Sequence, residues 1–101
     1  MARTTIEELK KNRLAAMTAD ERAAFDETYE AGRLALNVGE KVRGAREVAG
    51  LSQRELAVRI GTSQAAVAHL EAGDVRARLT TLQKVAAALD LRITIELSAA
   101  R

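Results

Sequence analysis

A mainly all-α fold is what this sequence predicts, and three observations carry that expectation. Apolar residues recur at spacings of three and four over most of the chain, the period of a helix with one buried face. Thr18 and Ser52 each precede a glutamate by three positions, the signature of a capping box, while Gly50, Gly61 and Gly73 close periodic segments and proline is absent. The one departure is Leu91-Arg92-Ile93-Thr94-Ile95-Glu96-Leu97, where apolar and polar side chains alternate with period two.

Taken in order, the elements fall into three parts with no proline-rich or glycine/serine-rich linker between them. Residues 1–35 form a helical extension: one helix near Ile6 to Met17, with Ile6, Leu9, Leu14 and Met17 apolar, and a second opened by Thr18 with Glu21 as its partner. Phe25, Tyr29, Gly32 and Leu36 share one stripe of that second helix. Residues 36–90 begin with a helix around Val38 to Val48 that stops at Gly50. Ser52 then caps a short helix with Leu56 and Ile60 inward and Ala57 where a neighbour would touch. Gly61 supplies the positive φ of a sharp turn. Ser63 caps the next helix, which carries Val67 and Leu70 inward and ends at Gly73. A last helix from about Thr80 to Leu89 lines the core with Leu82, Val85, Ala86 and Leu89.

Residues 91–101 hold the predicted strand and a tail. Nothing else in the chain is patterned as a strand, and an unpaired strand leaves its backbone groups without partners. The expected partner is a second copy, paired antiparallel across a twofold axis, with Leu91, Ile93, Ile95 and Leu97 on the protein side and Arg92, Thr94 and Glu96 toward solvent.

Composition sets the class. A chain of 101 residues, 48% hydrophobic and 30% charged, suits one small domain plus an extension and is too short for a large enzyme core. Cysteine is absent and aromatics make up 2%, so no disulfide or thiolate metal site is expected, and a reducing cytoplasm fits. The segment MARTTIEELKKNR has no apolar core of signal-peptide length, and no later run approaches a membrane span, so a soluble protein is expected. The single histidine lies in the second of the two short helices. No cysteine nucleophile, glycine-rich phosphate loop or two-histidine metal spacing accompanies it, so neither enzymatic activity nor a cofactor or metal is expected. The net charge of +2 is uneven: residues 1–35 carry 6 Lys/Arg against 7 Asp/Glu, and residues 36–101 carry 10 against 7.

The part of the chain that carries the positive excess also holds the stretch LSQRELAVRIGTSQAAVAHLEAG, Leu51 to Gly73. Two short capped helices crossing tightly through a glycine turn make a helix-turn-helix. The residues left outward at the start of the second helix are Gln64, Ala65, Ala68 and His69, a small polar surface suited to base edges in the major groove of double-stranded DNA. An ordinary helical hairpin is the plainer alternative.

Over about Glu40 to Leu91 the chain resembles the Xre family of prokaryotic transcriptional regulators, which includes phage repressors and many antitoxins. The likeness lies in the first-helix glutamine, the small residue, the turn glycine, the Ser-Gln start of the second helix and the closing Leu-Glu-x-Gly. It implies a lambda-repressor-like domain. It also implies that Gln53, beside the capping Ser52, contacts phosphate, that Thr62 and Ser63 lie near phosphates, and that Gln64, Ala65 and His69 read bases. Arg46 and Glu71 resemble a structural pair of the family; the sequence leaves open whether they are buried. Arg76 and Arg78 follow the second helix where cations reach phosphate, with Arg43 and Arg54 as weaker candidates. The extension and the start of the domain, DERAAFDETYEAGRLALNVGEKVRGARE, look like antitoxins of the HigA type. Such proteins neutralise a RelE/HigB-like mRNA-cutting toxin and repress a shared operon as dimers on a palindromic operator. Phe25, Tyr29 and Leu36 are then the expected toxin-binding residues. A stand-alone Xre-type repressor without a toxin, and an adaptor that has lost DNA binding, are the alternatives.

Overall fold

The structure is a computed structural model, which describes residues 5–99 apart from the side chains of Lys10, Arg13 and Leu14. The proposed apolar contribution of Leu14 and the last two residues of the 91–101 segment therefore lie outside the described residues. Five helices follow in order: α1 (Ile6–Ala16), α2 (Ala19–Val48), α3 (Gln53–Ile60), α4 (Gln64–Glu71) and α5 (Leu79–Ala88). The chain divides into two compact units, residues 1–31 and 32–101, and α2 contributes to both.

In the first unit each helix start is fixed by a reciprocal box. The Glu8 backbone N–H donates to Thr5 Oγ1 at 3.0 Å and the Thr5 N–H to Glu8 Oε2 at 3.2 Å. At α2, the Glu21 N–H donates to Thr18 Oγ1 at 3.2 Å and the Thr18 N–H to Glu21 Oε2 at 3.3 Å, as the Thr18–Glu21 spacing implies. Ile6, Leu9 and Tyr29 are exposed, and Met17 and Phe25 are half-buried.

The second unit holds the core. Val42 of α2, Leu56 and Ala57 of α3, Val67 and Leu70 of α4 and Val85 of α5 form one buried cluster, with Val38, Ile60, Ala77, Leu82, Ala88 and Leu89 packed against it. Leu56 and Val67 are fully buried, each worth about 1.5–3 kcal/mol relative to exposure. The sequence spacing anticipated Leu56, Ala57, Ile60, Val67, Leu70, Leu82, Val85 and Leu89 of this set, but not Val38, Val42, Ala77 or Ala88. Instead of separate helices before and after residue 36, however, α2 runs without interruption to Val48. No proline or helix-terminating cap falls between Leu36 and Val38, so nothing local breaks the backbone ladder.

The predicted strand at 91–97 is corrected: among the described residues there is no strand, and residues 91–99 adopt no regular element. A strand exists only as part of a ladder, and the described chain supplies no neighbour to complete one. Leu91, Ile93, Ile95 and Leu97 are all exposed, from 38% at Ile93 to 94% at Leu97. The segment leaves α5 through Asp90, which takes φ +55°, while the Leu91 N–H reaches back to the Ala86 carbonyl at 2.7 Å. That is the left-handed helix end usually given to glycine.

Candidate nucleic-acid interface

Local chemistry builds α3 and α4 before any packing acts. Ser52 Oγ accepts the Glu55 N–H at 3.0 Å, and Glu55 Oε1 accepts the Ser52 N–H at 3.1 Å, satisfying donors that a helix start leaves orphaned. These bonds hold the Glu55 carboxyl below its ordinary value, the backbone one first. Gly61 ends α3 at φ +72°, ψ +38°, and the Thr62 N–H donates back to the Ala57 carbonyl at 2.9 Å. Nothing occupies the space a Cβ on Gly61 would take, so the demand there is for backbone conformation alone. Ser63 Oγ accepts the Ala66 N–H at 3.1 Å and opens α4.

Along α4, Val67 and Leu70 point into the core. Gln64, Ala65 and His69 are exposed and Ala68 is half-buried, so the surface suited to base edges stands opposite the buried face. Thr62 and Ser63 are exposed at the same end. The starts of α3 and α4 both carry unpaired backbone N–H groups and the positive end of a helix dipole, which favour a phosphate.

The last residue of α4 is tied to two other helices. Arg46 Nε donates to Glu71 Oε2 at 2.7 Å and Nη2 to Oε1 at 3.0 Å, a bidentate pair with side-chain exposures of 11% and 4%. Arg46 Nη1 also donates to the Leu51 carbonyl at 2.7 Å, and Gln53 Nε2 to Glu71 Oε1 at 3.2 Å. Burial pushes the Glu71 carboxyl up, but the hydrogen bonds from Arg46 and Gln53 and the guanidinium charge outweigh it and hold the group below its ordinary value. The hydrogen bond to Glu71 raises Arg46 in turn.

Comparison with known proteins matches this arrangement: the sequence model of the helix-turn-helix family covers residues 42–95, more than half of the chain. The chain belongs to the helix-turn-helix family. It is also similar, at 39% identity over 59 residues, to a Sinorhizobium fredii (strain NBRC 101917 / NGR234) protein named as the uncharacterized HTH-type transcriptional regulator y4dL. The shared region is 58% of this chain and 30% of that relative, so the chain spans less than a third of its length.

The helix-turn-helix brings some of the expected contacts together and separates others. Gln53 is half-buried and bonded to the end of α4, while Ser52 spends its hydroxyl lone pair on the α3 cap. Arg76 and Arg78 are exposed in the segment after α4, with no side-chain ion pair among the described residues. Arg43 is instead engaged along its own helix with Glu47 at 3.0 Å, and Arg54 is exposed. Leu36 is half-exposed, yet its side chain packs on Gly73, where an added Cβ would meet Leu36 Cδ2 at 2.8 Å.

Sequence reasoning missed Gly39. A Cβ there would lie 2.5 Å from the Glu71 carbonyl oxygen and 2.6 Å from that of Leu70, so α2 approaches the end of α4 through a site with no side chain. The signal was present: a glycine in a helix interior costs roughly 1 kcal/mol against alanine, and this one sits one turn before core residue Val42. Among the described residues no helix is long and apolar enough to cross a membrane.

Proposed function

We propose that this protein is a sequence-specific, DNA-binding transcriptional regulator that acts as a dimer. The observation that carries this reading is α4 itself, capped by Ser63, buried through Val67 and Leu70, and presenting Gln64, Ala65, Ala68 and His69 on its other face. In this reading Gln64 pairs with adenine, His69 meets a base edge and the two alanines touch thymine methyls. Ser52, Gln53, Thr62, Ser63, Arg76 and Arg78 line the phosphates. The dimer is supported by the exposed apolar row Leu91, Ile93, Ile95 and Leu97, which contact with a second copy would cover. Two related recognition helices then read symmetric half-sites about one helical turn apart. Footprinting on the DNA upstream of its own gene tests this: a protected inverted repeat is expected, with log affinity falling against log salt by near 0.9 per phosphate contact. Protection of a single asymmetric site by a monomer would overturn it.

A finer reading is that the regulator is also an antitoxin for a RelE/HigB-like toxin, as opposed to a stand-alone repressor. It is supported by the exposed apolar residues Ile6, Leu9 and Tyr29 in the first unit, which offer a docking surface of the helix-in-groove kind. Phe25, Tyr29 and Leu36 are the proposed contacts. Removing residues 1–31 should abolish protection of cells from a coexpressed neighbouring toxin while DNA binding and the thermal melt of residues 32–101 persist. Full protection by a folded truncation would place the toxin-binding surface elsewhere, and no protection by the full chain would point to the stand-alone reading.

A further inference from the structure

We propose that Glu71 is a positioning residue for the DNA-backbone contact of Gln53, an inference that rests on the DNA-binding reading above. The carboxylate at the end of α4 receives Arg46 from α2 and Gln53 from α3, and Oε1 is shared by both donors at 3.0 and 3.2 Å. A carboxylate only accepts, so this bond settles which end of the Gln53 amide faces it: the nitrogen does, and its second N–H remains available. That donor stands at the first residue of α3, beside backbone N–H groups that the helix leaves unpaired. A phosphate oxygen at this end would receive both kinds of donor without the glutamine side chain having to be ordered first.

Arg46 completes the device. Its Nε, Nη1 and Nη2 each donate one N–H, to Glu71 and to the Leu51 carbonyl, which ties its guanidinium to the end of α4. It cancels the carboxylate's charge, which would otherwise face an anionic partner from next to Gln53. The pair therefore joins the ordering of a DNA contact to the docking of the recognition helix, and its role exceeds stability alone.

The test uses the full chain, fluorescence anisotropy with a labelled mixed-sequence duplex, and two salt concentrations. Gln53→Ala should weaken binding about ten-fold, the loss of one hydrogen bond to a charged group. Arg46→Met combined with Glu71→Leu replaces the pair without stranding a charge, a change that buried pairs often tolerate. This paired variant should keep the native melt and yet weaken binding by a similar factor. Gln53→Ala added to it should then cost less than about two-fold, and the salt slope should stay constant throughout because the lost donor is neutral. A folded paired variant with wild-type affinity, or one on which Gln53→Ala still costs its full factor, would overturn the proposal. A second readout needs no variant: one of the two Gln53 side-chain amide protons should be protected from exchange with solvent in the free protein, and both resonances should move on adding duplex. An amide with neither proton protected in a protein that binds DNA overturns the positioning role alone, whereas absence of salt-sensitive binding by the wild type overturns the DNA-binding reading with it.

Discussion

Residues 51–73 and residues 91–97 carry the strongest sequence patterns in the molecule, and they meet opposite fates. In the first, every feature finds its partner within a few residues: Ser52 with Glu55, Ser63 with Ala66, Gly61 closing back on α3. In the second, four alternating apolar residues all remain exposed and no ladder forms among the described residues. A helix closes its backbone bonds with itself, whereas a strand needs a neighbour. The same clarity of pattern thus accompanies a finished element in one case and an exposed apolar row in the other.

The largest effect that sharpens this contrast is on assembly. Ile93→Asp with Ile95→Asp sets two carboxylates in the proposed dimer seam, and sedimentation or light scattering should show a dimer for the wild type and a monomer for the variant, while helix content is unchanged. A full dimer would remove this segment as the main contact. A collapse of the helical signal would show that residues 91–97 instead support their own domain, and the contrast would fail.

Within the second unit, Arg46→Ala should cost about 3–5 kcal/mol, because it leaves Glu71 charged, buried and without its cation. Thermal denaturation should register a fall of roughly 10 °C or more. The pair also sets an acid limit. Glu71 titrates lower folded than unfolded, so its contribution is complete above the ordinary value of 4.5 and is lost as pH falls through the lower folded value. Melts taken across that window should fall for the wild type and change much less for the combined Arg46→Met and Glu71→Leu variant.

A smaller change is expected at Gly39. Alanine improves helix propensity but places a methyl group against the Leu70 and Glu71 carbonyls, and since the nearest atoms are backbone, α4 must shift. Overpacking of this kind costs about 1–3 kcal/mol, which should appear as a lower denaturant midpoint with an unchanged slope. A stabilised Gly39→Ala would mean that α2 and α4 are not held at this distance.

These outcomes follow the line between what the sequence made legible and what it did not. The capping boxes at Thr18 and Ser52, the left-handed Gly61 and the inward positions of Leu56, Val67, Leu70 and Val85 could be read from spacing, because each depends on partners nearby in the chain or on a single period. Gly39 carried only the mark of a glycine inside a helix, and neither its neighbours nor the Gln53–Glu71 bond could be read, because both arise where helices distant in sequence cross and only the crossing shows which atoms meet. Asp90 escaped for another reason. Its left-handed φ is a position where glycine is the usual marker, and the aspartate hid the end of α5. The continuity of α2 through residues 36–38 was obscured by changing composition, although no residue there stops a helix.

The central claim is that α4 reads bases while the N-terminal end of α3 holds the backbone, and one comparison tests it most directly. Binding of the wild type, Gln64→Ala and Gln53→Ala is measured on a duplex selected from random sequence by the wild-type protein and on a mixed-sequence duplex, at one salt concentration. Gln64→Ala should lose roughly 1–3 kcal/mol on the selected duplex and almost nothing on the mixed one, and Gln53→Ala should weaken both by the same factor. Equal losses on the two duplexes for Gln64→Ala would remove α4 as the reading element and contradict the account.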